Sequence, residues 1–218
     1  MLTREKPKEK HVIPLLAALV FMAVSCGNNG QGNASEEGNA GNLTAGGHAY
    51  VDLGLSVKWA ALNIGANSPT EGGTYFAWGE TAEKDAFFES NCQTFIKDMP
   101  DIAGNPNNDP AAAIWGDGWR LPTKEEISDL TDKCEWTWIS SNDSVGYEIK
   151  GPNGNKIFMP ASGRYYGETL FYENQSGHYW SSTPASSEYS FFLFMTRGKV
   201  NVGFRNRHYG FTVRAVRD

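Results

Sequence analysis

The sequence predicts a domain of short β-strands and tight turns with one principal α-helix. Aromatic residues make up 13% of the 218 residues, and 24 residues are glycine. Bulky rings combined with many glycines are typical of short strands and turns around a bulky core, and atypical of a helical bundle. The chain length fits one domain or at most two small ones.

The first 25 residues have the pattern of a secretory signal peptide. Residues 4–10 are basic, and residues 12–24 form an apolar run that is followed by small residues. This order of a positive segment, an apolar segment and small residues is typical of a signal for export. The apolar run is too short to span a bilayer comfortably, since about 20 residues are needed.

The string Ala23-Val24-Ser25-Cys26 resembles a bacterial lipobox. The resemblance implies that Cys26 becomes the first mature residue and carries a lipid anchor, which holds stably when it has more than one acyl chain. The alternative is a plain signal peptide beside an unrelated cysteine. On the lipobox interpretation, residues 26–47 are the lipidated cysteine and a Gly/Asn-rich tether, because this composition buries too little surface to fold. We expect the folded domain to span residues 48–218.

The net charge of the chain excludes some classes of binding partner. Removing the first 25 residues, which include four basic and two acidic ones, changes the formal net charge from −6 to −8. An acidic globule is repelled by nucleic acid and by an anionic membrane face. We therefore expect no nucleic-acid partner, and contact with the membrane only through the N-terminal lipid.

The first half of the domain is expected to hold three strands and a long loop. Residues 49–53, 57–64 and 72–78 have the composition of strands. Residues 97–110 contain three prolines among Asn, Asp and Gly, which predicts a loop.

The clearest helix signal begins at Thr123. Thr123 can cap a helix, and Glu126 three positions later completes a capping box. Ile127, Leu130 and Cys134 follow at i, i+3 and i+7 and form one apolar stripe. This pattern predicts the main helix of the C-terminal half.

Short strands are expected in the remainder of the chain. Residues 146–159 contain two alternating runs around a Gly-Pro-Asn-Gly turn, which predicts a hairpin. Further strands are expected at residues 179–183, 190–195, 199–202 and 210–216.

Six strings occur in a fixed order along the domain. They are Tyr50-Val-Asp-Leu-Gly-Leu with Val57-Lys-Trp-Ala, Tyr75-Phe-Ala-Trp-Gly-Glu, Asp109 with Trp115-Gly-Asp-Gly-Trp-Arg-Leu-Pro-Thr, Gly151-Pro-Asn-Gly-Asn-Lys-Ile-Phe-Met-Pro, Tyr179-Trp-Ser-Ser-Thr and Gly210-Phe-Thr-Val-Arg-Ala-Val. Together they resemble the Fibrobacter succinogenes major paralogous domain, common in exported lipoproteins of Bacteroidetes. The resemblance covers about residues 48–218. It implies an α+β, C-type-lectin-like fold with small twisted mixed or antiparallel sheets, one or two helices and long irregular loops.

The resemblance also bears on the chemistry. Formylglycine-generating-type domains share the implied fold and use late cysteines, but this chain has none after Cys134. The chain has Gly151-Pro-Asn where calcium-dependent C-type lectins show Glu-Pro-Asn or Gln-Pro-Asp, and it lacks Trp-Asn-Asp, so that calcium site is not expected. We expect no cofactor, no metal site and no enzymatic activity, although a glycosidase carboxylate pair would leave no local string.

The segment 163–209 is the expected ligand-binding face. It appears loop-like in composition, with many Tyr, Asn, Ser, Arg and His residues, as in antibody paratopes. The alternative is a set of ordinary polar loops. The candidate ligand-binding residues are Arg164, Tyr165, Tyr166, Tyr172, Asn174, His178, Tyr189, Arg205, Asn206, Arg207, His208 and Tyr209.

Several large side chains are expected to be structural. Arg120 and Arg214 are expected in buried or half-buried ion pairs. Trp136 and Trp138 are expected to divide between core and surface. The tryptophans expected in the core are Trp59, Trp78, Trp115, Trp119 and Trp180.

Two covalent features stay open at this point. Cys92 and Cys134 either form one disulfide or remain buried thiols, because sequence does not give the geometry. The string Asp143-Ser144-Val145 resembles a short acceptor for protein O-glycosylation in Bacteroidetes, which makes Ser144 a candidate glycan site.

These features predict a membrane-anchored bacterial lipoprotein of the cell envelope, with the outer membrane as its expected location. Its domain is expected to bind a glycan or protein ligand through the C-terminal loops. The alternatives are a structural or assembly component of an envelope or fimbrial complex and, ranked last, a polysaccharide-acting enzyme. The identity of the ligand and the side of the membrane that the anchor faces are left open.

Overall fold

The structure, a computed structural model, describes residues 43–116 and 118–218, with the side chain of Leu43 excluded. The expected signal peptide, Cys26 and most of the expected tether lie outside the described residues. The described part is mostly β-sheet with two α-helices, so the α+β expectation is confirmed at that level. None of its helices has the length and apolar character needed to cross a membrane.

The described elements follow one another from residue 43 to residue 217. They are β1 (Leu43–Ala45), β2 (His48–Val51), β3 (Lys58–Ala60), a 3-10 turn (Glu89–Asn91), α1 (Pro110–Ile114), α2 (Lys124–Lys133), β4 (Glu135–Ser140), β5 (Val145–Lys150), β6 (Lys156–Pro160), β7 (Ser162–Tyr166), β8 (Thr169–Glu173), β9 (Ser176–Pro184), β10 (Tyr189–Thr196), β11 (Lys199–Asn206) and β12 (Val216–Arg217).

The strands form three sheets. One sheet has the order β1-β2-β3-β12 and so joins the two ends of the domain, and another has the order β4-β5-β6. The largest sheet has the order β11-β10-β9-β7-β8. In that sheet β9 is the central strand and its first seven residues are buried, so it fixes the positions of its neighbours on both sides.

The predicted helix is confirmed as α2. Thr123 Oγ1 accepts from the Glu126 N–H at 3.2 Å, and the Glu126 carboxylate accepts from the Thr123 N–H at 2.8 Å. Ile127 and Leu130 are buried, and Cys134 ends the helix and packs partly against the same core. The capping box and the apolar stripe therefore act as the sequence indicates.

The loop expected at residues 97–110 ends at residue 109 in the structure, because Pro110 is the first residue of the short helix α1. Asp109 is fully buried and caps α1, with 2.8 Å from its Oδ1 to the Ala111 N–H. Its Oδ2 accepts from the N–H groups of Gly104 and Leu121, each at 2.8 Å. One buried carboxylate thus ties together the preceding loop, α1 and the chain before α2.

Three expected strands are shorter in the structure than in the sequence analysis. The strand expected at 57–64 reduces to β3, and residues 72–78 form only an isolated bridge from Phe76 to Phe211. Residues 210–216 contribute single bridges before β12. These segments are apolar because they are buried against the core, and burial alone does not create a strand ladder.

The hairpin expected at 146–159 is confirmed as β5 and β6. The strand β4 that precedes it was not expected, and it changes the interpretation of two tryptophans. Trp136 and Trp138 do not divide between core and surface, because residues two apart on a strand share a face. Both are half-buried and pack edge-on against Tyr147, with ring centroids 5.3 Å and 4.9 Å away.

Two buried clusters form the core. One combines residues of α2, β5, β6, β9 and β10 and includes Leu130 and Ile149. The other surrounds Trp180 and Phe211, whose rings stack at 4.2 Å. Four of the five tryptophans expected in the core are only 1% exposed, and the exception is Trp115, which is half-buried and stacks on His48 at 4.0 Å.

The two arginines expected in ion pairs differ. Arg120 lies 2.7 Å from the Glu126 carboxylate and 2.8 Å from that of Asp218, so its ion pairing is confirmed. Arg214 is completely buried but donates to Asn63 Oδ1 at 2.8 Å and to backbone carbonyls, including that of Phe158 at 2.9 Å. The expected ion pair is wrong for Arg214, because neutral oxygens satisfy its guanidinium.

Candidate ligand-binding cavity

Most of the expected ligand-binding residues lie in strands, so the expectation that this segment consists of loops is wrong. Strand pairing uses only backbone groups, so an open sheet face can carry the polar and aromatic side chains found in loops. Arg164, Tyr165 and Tyr166 lie in β7, Tyr172 in β8, His178 in β9, Tyr189 in β10, and Arg205 and Asn206 in β11, whereas Asn174, Arg207, His208 and Tyr209 lie in turns or bends.

Arg207 is a structural residue, and its assignment as a ligand contact is wrong. Its side chain is fully buried and its Nη1 donates to the carbonyl oxygens of Thr94 at 2.9 Å and Lys97 at 2.8 Å. Its Nε donates to the Ser190 hydroxyl at 3.2 Å, and its guanidinium lies 4.2 Å from the Trp78 ring centroid. These bonds leave the guanidinium no surface for a ligand.

His208 is buried as well, and Tyr165 is half-buried on the other face of the sheet. His208 is only 3% exposed, and its ring stacks on Tyr209 with centroids 4.8 Å apart. Tyr165 packs between Tyr75 at 4.9 Å and Phe87 at 5.5 Å. Because Tyr165 follows Arg164 in β7, its side chain points to the opposite face of the sheet.

An open cavity with a volume of about 380 Å³ brings together four of the expected residues. This volume is within the range of small-molecule sites, about 300–1,000 Å³. The expected residues that line the cavity are Arg164, Tyr172, His178 and Arg205, and they are joined by Gln175, Ser176, Phe194 and Thr196. Tyr189 and Asn206, which pair with each other across β10 and β11, are not among the lining residues.

Strand register explains how the cavity is assembled. Ser176 and His178 are two apart in β9 and so share one face of the sheet. They pair directly with Thr196 and Phe194 of β10, whose side chains lie on that same face. On the other side, β7 pairs with β9 through Gly163 and Gly177, which sets Arg164 beside this group.

Three polar side chains of the cavity have buried atoms without a hydrogen-bond partner among the described residues. They are Nε and Nη1 of Arg164, Oγ of Ser176 and Nδ1 of His178. Buried polar atoms are nearly always paired in proteins, because an unpaired one costs about 1–3 kcal/mol. Three such side chains at one cavity therefore mark a place where a ligand can supply the missing partners.

The two arginines of the cavity are held without a counter-charge. The Arg164 guanidinium lies 4.9 Å from the ring centroid of Tyr209, and that of Arg205 lies 5.5 Å from the same ring. Tyr166 stacks on Tyr209 with centroids 5.0 Å apart. Within the described residues neither arginine has a carboxylate oxygen within 4 Å. The aromatic face stabilises the cations while leaving their N–H groups free for an anion.

His178 is kept neutral by its surroundings. Burial and, to a smaller extent, the positive charge of Arg164 together lower the pKa of its imidazole to about 3. Its ring packs against three phenylalanines, with the closest centroid, that of Phe211, 5.0 Å away. A neutral imidazole offers one donor and one acceptor nitrogen, which suits a hydroxyl group better than a cation would.

Tyr172 has an unusual backbone conformation at the edge of the cavity. Its φ is 60°, a left-handed value that is rare for a bulky residue. The side chain is 52% exposed, and the Arg164 guanidinium lies 5.5 Å from its ring centroid. Backbone strain of this kind is concentrated at functional sites, and here it holds an exposed ring beside an unpaired cation.

The sequence analysis missed four lining residues. Gln175 and Ser176 follow the expected Asn174, while Phe194 and Thr196 lie in or directly after an expected strand. Alternation did not reveal their common face, because both faces of β10 carry apolar residues. Only the register between β9 and β10 places them together.

The cavity contains no carboxylate among its lining residues. Across residues 43–116 and 118–218, no group of three or more His, Cys, Asp or Glu side chains is arranged to hold a metal ion. The lining groups can bind an anion and several hydroxyls by hydrogen bonds and can pack against an apolar ring.

Cys92 and Cys134 are free, half-buried thiols, which is the second of the two alternatives left by the sequence. Cys92 follows the 3-10 turn and Cys134 ends α2. Burial raises the pKa of both thiols, so neither is activated as a nucleophile. Ser144 lies half-buried in the turn between β4 and β5, and its glycosylation remains a prediction.

Comparisons of this chain with protein-family models, with curated proteins and with solved structures found no match.

Proposed function

We propose that this chain is a lipid-anchored protein of the bacterial cell envelope whose folded domain binds a saccharide in the cavity between β7, β8, β9, β10 and β11. The observation that carries the proposal is the convergence of unpartnered atoms of Arg164, Ser176 and His178 on one cavity. Saccharides present many hydroxyl groups, which can supply both donors and acceptors to such atoms.

The aromatic residues of the cavity support the same proposal. Tyr172 and Phe194 give apolar surfaces beside the polar atoms. Binding sites for small molecules are commonly lined by apolar and aromatic side chains with a few well-placed polar groups. A sugar ring, which has apolar C–H faces and a polar rim, matches this division.

We further propose that the fold is C-type-lectin-like and that the N-terminus is anchored through lipid on Cys26. The two helices, the small sheets and the long segment at 61–109, which contains no strand, are compatible with such a fold. The anchor rests on the signal-peptide pattern and the lipobox resemblance alone.

The test is a glycan array probed with the full-length chain in detergent micelles, with and without calcium. We expect binding to a defined set of glycans in the wild type and its loss in Tyr172→Asn. Asparagine tolerates the left-handed φ at position 172, so the backbone is kept while the ring is removed.

The matched control is Phe204→Asn, which removes an exposed aromatic ring outside the cavity. Binding that is lost equally in both variants would contradict the assignment of the site. An array on which the wild type binds nothing, combined with specific retention on an array of envelope proteins, would contradict the proposed function.

A further inference from the structure

We propose that the cavity selects an acidic saccharide, in which one anionic substituent of the sugar lies between the guanidinium groups of Arg164 and Arg205. This inference rests on the proposed function and narrows it from saccharides in general to those that carry a carboxylate or a sulfate. The shared chemistry is a single negative charge on a sugar ring.

Local charge is the first argument. The cavity has two arginines and no acidic lining residue, although the chain after residue 25 has a formal net charge of −8. A positive site on an acidic molecule does not arise from the average composition. Two nitrogen atoms of Arg164 are buried without partners, and a charge-assisted hydrogen bond to an anion is the strongest bond that they can form.

The position of the neutral groups is the second argument. Ser176 and His178 are 4% and 3% exposed, and both have an unpartnered atom at the same cavity. A bare anion would use the arginines and leave these two atoms unpaired. A sugar that carries an anion on one side and hydroxyls on the other pairs all three side chains at once.

One edge of the sheet argues against an acidic peptide. Peptides commonly bind by adding a strand to an exposed sheet edge, and two edge strands contribute to the cavity, β11 through Arg205 and β8 through Tyr172, of which β8 has an irregular backbone. The left-handed φ values of Tyr172 and Asn174 interrupt its extended backbone at this point. An interrupted edge cannot offer the regular row of N–H and C=O groups that strand addition requires.

The experiment compares matched saccharides that differ only at one carbon. Oligosaccharides of glucose, galactose and mannose are each tested in three forms, with CH₂OH, carboxylate or sulfate ester at carbon 6, and polyglutamate is tested beside them. Affinity for the full-length chain in micelles is measured by calorimetry. We expect an acidic form to bind at least about tenfold more tightly than its neutral counterpart, because hydrogen bonds to charged groups are the strong ones.

Variants of the two arginines test where the anionic group of the sugar binds. Arg164→Gln is expected to weaken acidic binding by about 10- to 100-fold and to weaken any neutral binding by a smaller factor, because a neutral hydroxyl loses only an ordinary hydrogen bond. Arg205→Gln, at a more exposed position, is expected to have a smaller effect in the same direction. Lys133→Gln removes the same charge from α2, outside the cavity, and is expected to change nothing.

Each outcome separates the two proposals. Equal affinity for acidic and neutral forms would overturn the acidic inference and leave saccharide binding intact. Polyglutamate that binds as tightly as the acidic sugars, or acidic binding that survives Arg164→Gln, would overturn it as well. A wild type that binds no member of the panel and no glycan on the array overturns both proposals. The carboxylate and sulfate arms identify which anion is used.

Discussion

Arg207 and Arg164 come from the same stretch of sequence, and both are expected from the sequence to contact a ligand. In the structure they differ in the hydrogen bonds that their guanidinium groups make. Arg207 is fully buried and donates to oxygens from two separate segments, residues 94–97 and 186–190, so the guanidinium holds the fold together. Arg164 is half-buried and has two nitrogens without partners. The difference teaches that satisfaction of hydrogen bonds, together with the degree of burial, separates a structural arginine from a candidate binding arginine.

The largest expected effect is on the structural side of this comparison. Arg207→Met leaves the buried carbonyl of Thr94 and the partly buried carbonyl of Lys97 without this donor, so we expect the free energy of unfolding to fall by about 3–5 kcal/mol. Urea denaturation measures the change. Arg197→Met, at an exposed position in the turn between β10 and β11, is the control and is expected to stay within about 0.5 kcal/mol of the wild type.

Low pH is expected to reduce the free energy of unfolding, because His178 at the cavity stays neutral in the folded state. The folded pKa of His178 is about 3 and its ordinary value is 6.5, so the unfolded chain binds a proton first as the pH falls. Stability is therefore full above about pH 6.5 and declines below it, by about 1.4 kcal/mol per pH unit from this group.

Thermal unfolding at about pH 7 and about pH 4.5 tests this, with an expected loss of about 3 kcal/mol from His178. His178→Gln removes the titrating group, so the difference between the two pH values should shrink by that amount. Burial also lowers the pKa of His208, which is why the variant is expected to reduce the acid sensitivity rather than abolish it. An unchanged pH dependence in the variant would contradict the burial argument.

Arg164→Met is expected to act in the opposite direction to Arg207→Met. It removes a partly buried cation with no counter-charge and no acceptor, so we expect the free energy of unfolding to rise by about 1 kcal/mol or stay unchanged. A loss of more than about 2 kcal/mol in urea denaturation would show that Arg164 is structural, and the contrast with Arg207 would fail.

The smallest effect concerns Tyr172. Glycine accepts a φ of 60° without a steric cost, whereas alanine does not, so Tyr172→Gly is expected to be more stable than Tyr172→Ala by about 1 kcal/mol. The difference between the two variants in urea denaturation is the measurement. If alanine is the more stable of the two, the left-handed conformation is not a source of strain.

The sequence contained the local signals but not the long-range pairings. Thr123 and Glu126 were sufficient to predict α2, because a capping box is a contact between neighbours in sequence. The turn at residues 151–154 likewise predicted its hairpin. In contrast, no local pattern indicates the linking role of Asp109, since this role depends on N–H groups from Gly104 and Leu121 that meet only in the folded chain.

The candidate site was predictable in part for the same reason. Composition identified Arg164, Tyr172, His178 and Arg205, but it also selected Arg207, which has the same residue type and a different environment. Phe194 and Thr196 were not identified, because their place at the cavity follows from register against His178 and Ser176. Residue type thus indicates which interactions a side chain can make, and the pairing of the strands decides where in the fold that side chain lies.

The cavity is lined entirely by residues between 164 and 205, although the core that supports it uses residues from along the described chain. One continuous stretch of the gene therefore encodes the whole lining of the cavity, together with part of the core. Recombination that exchanges this single stretch with a homologous copy would transfer the complete cavity lining in one event. Such an arrangement would allow the cavity lining to diversify quickly while the capped helices and the sheet β1-β2-β3-β12 are inherited unchanged.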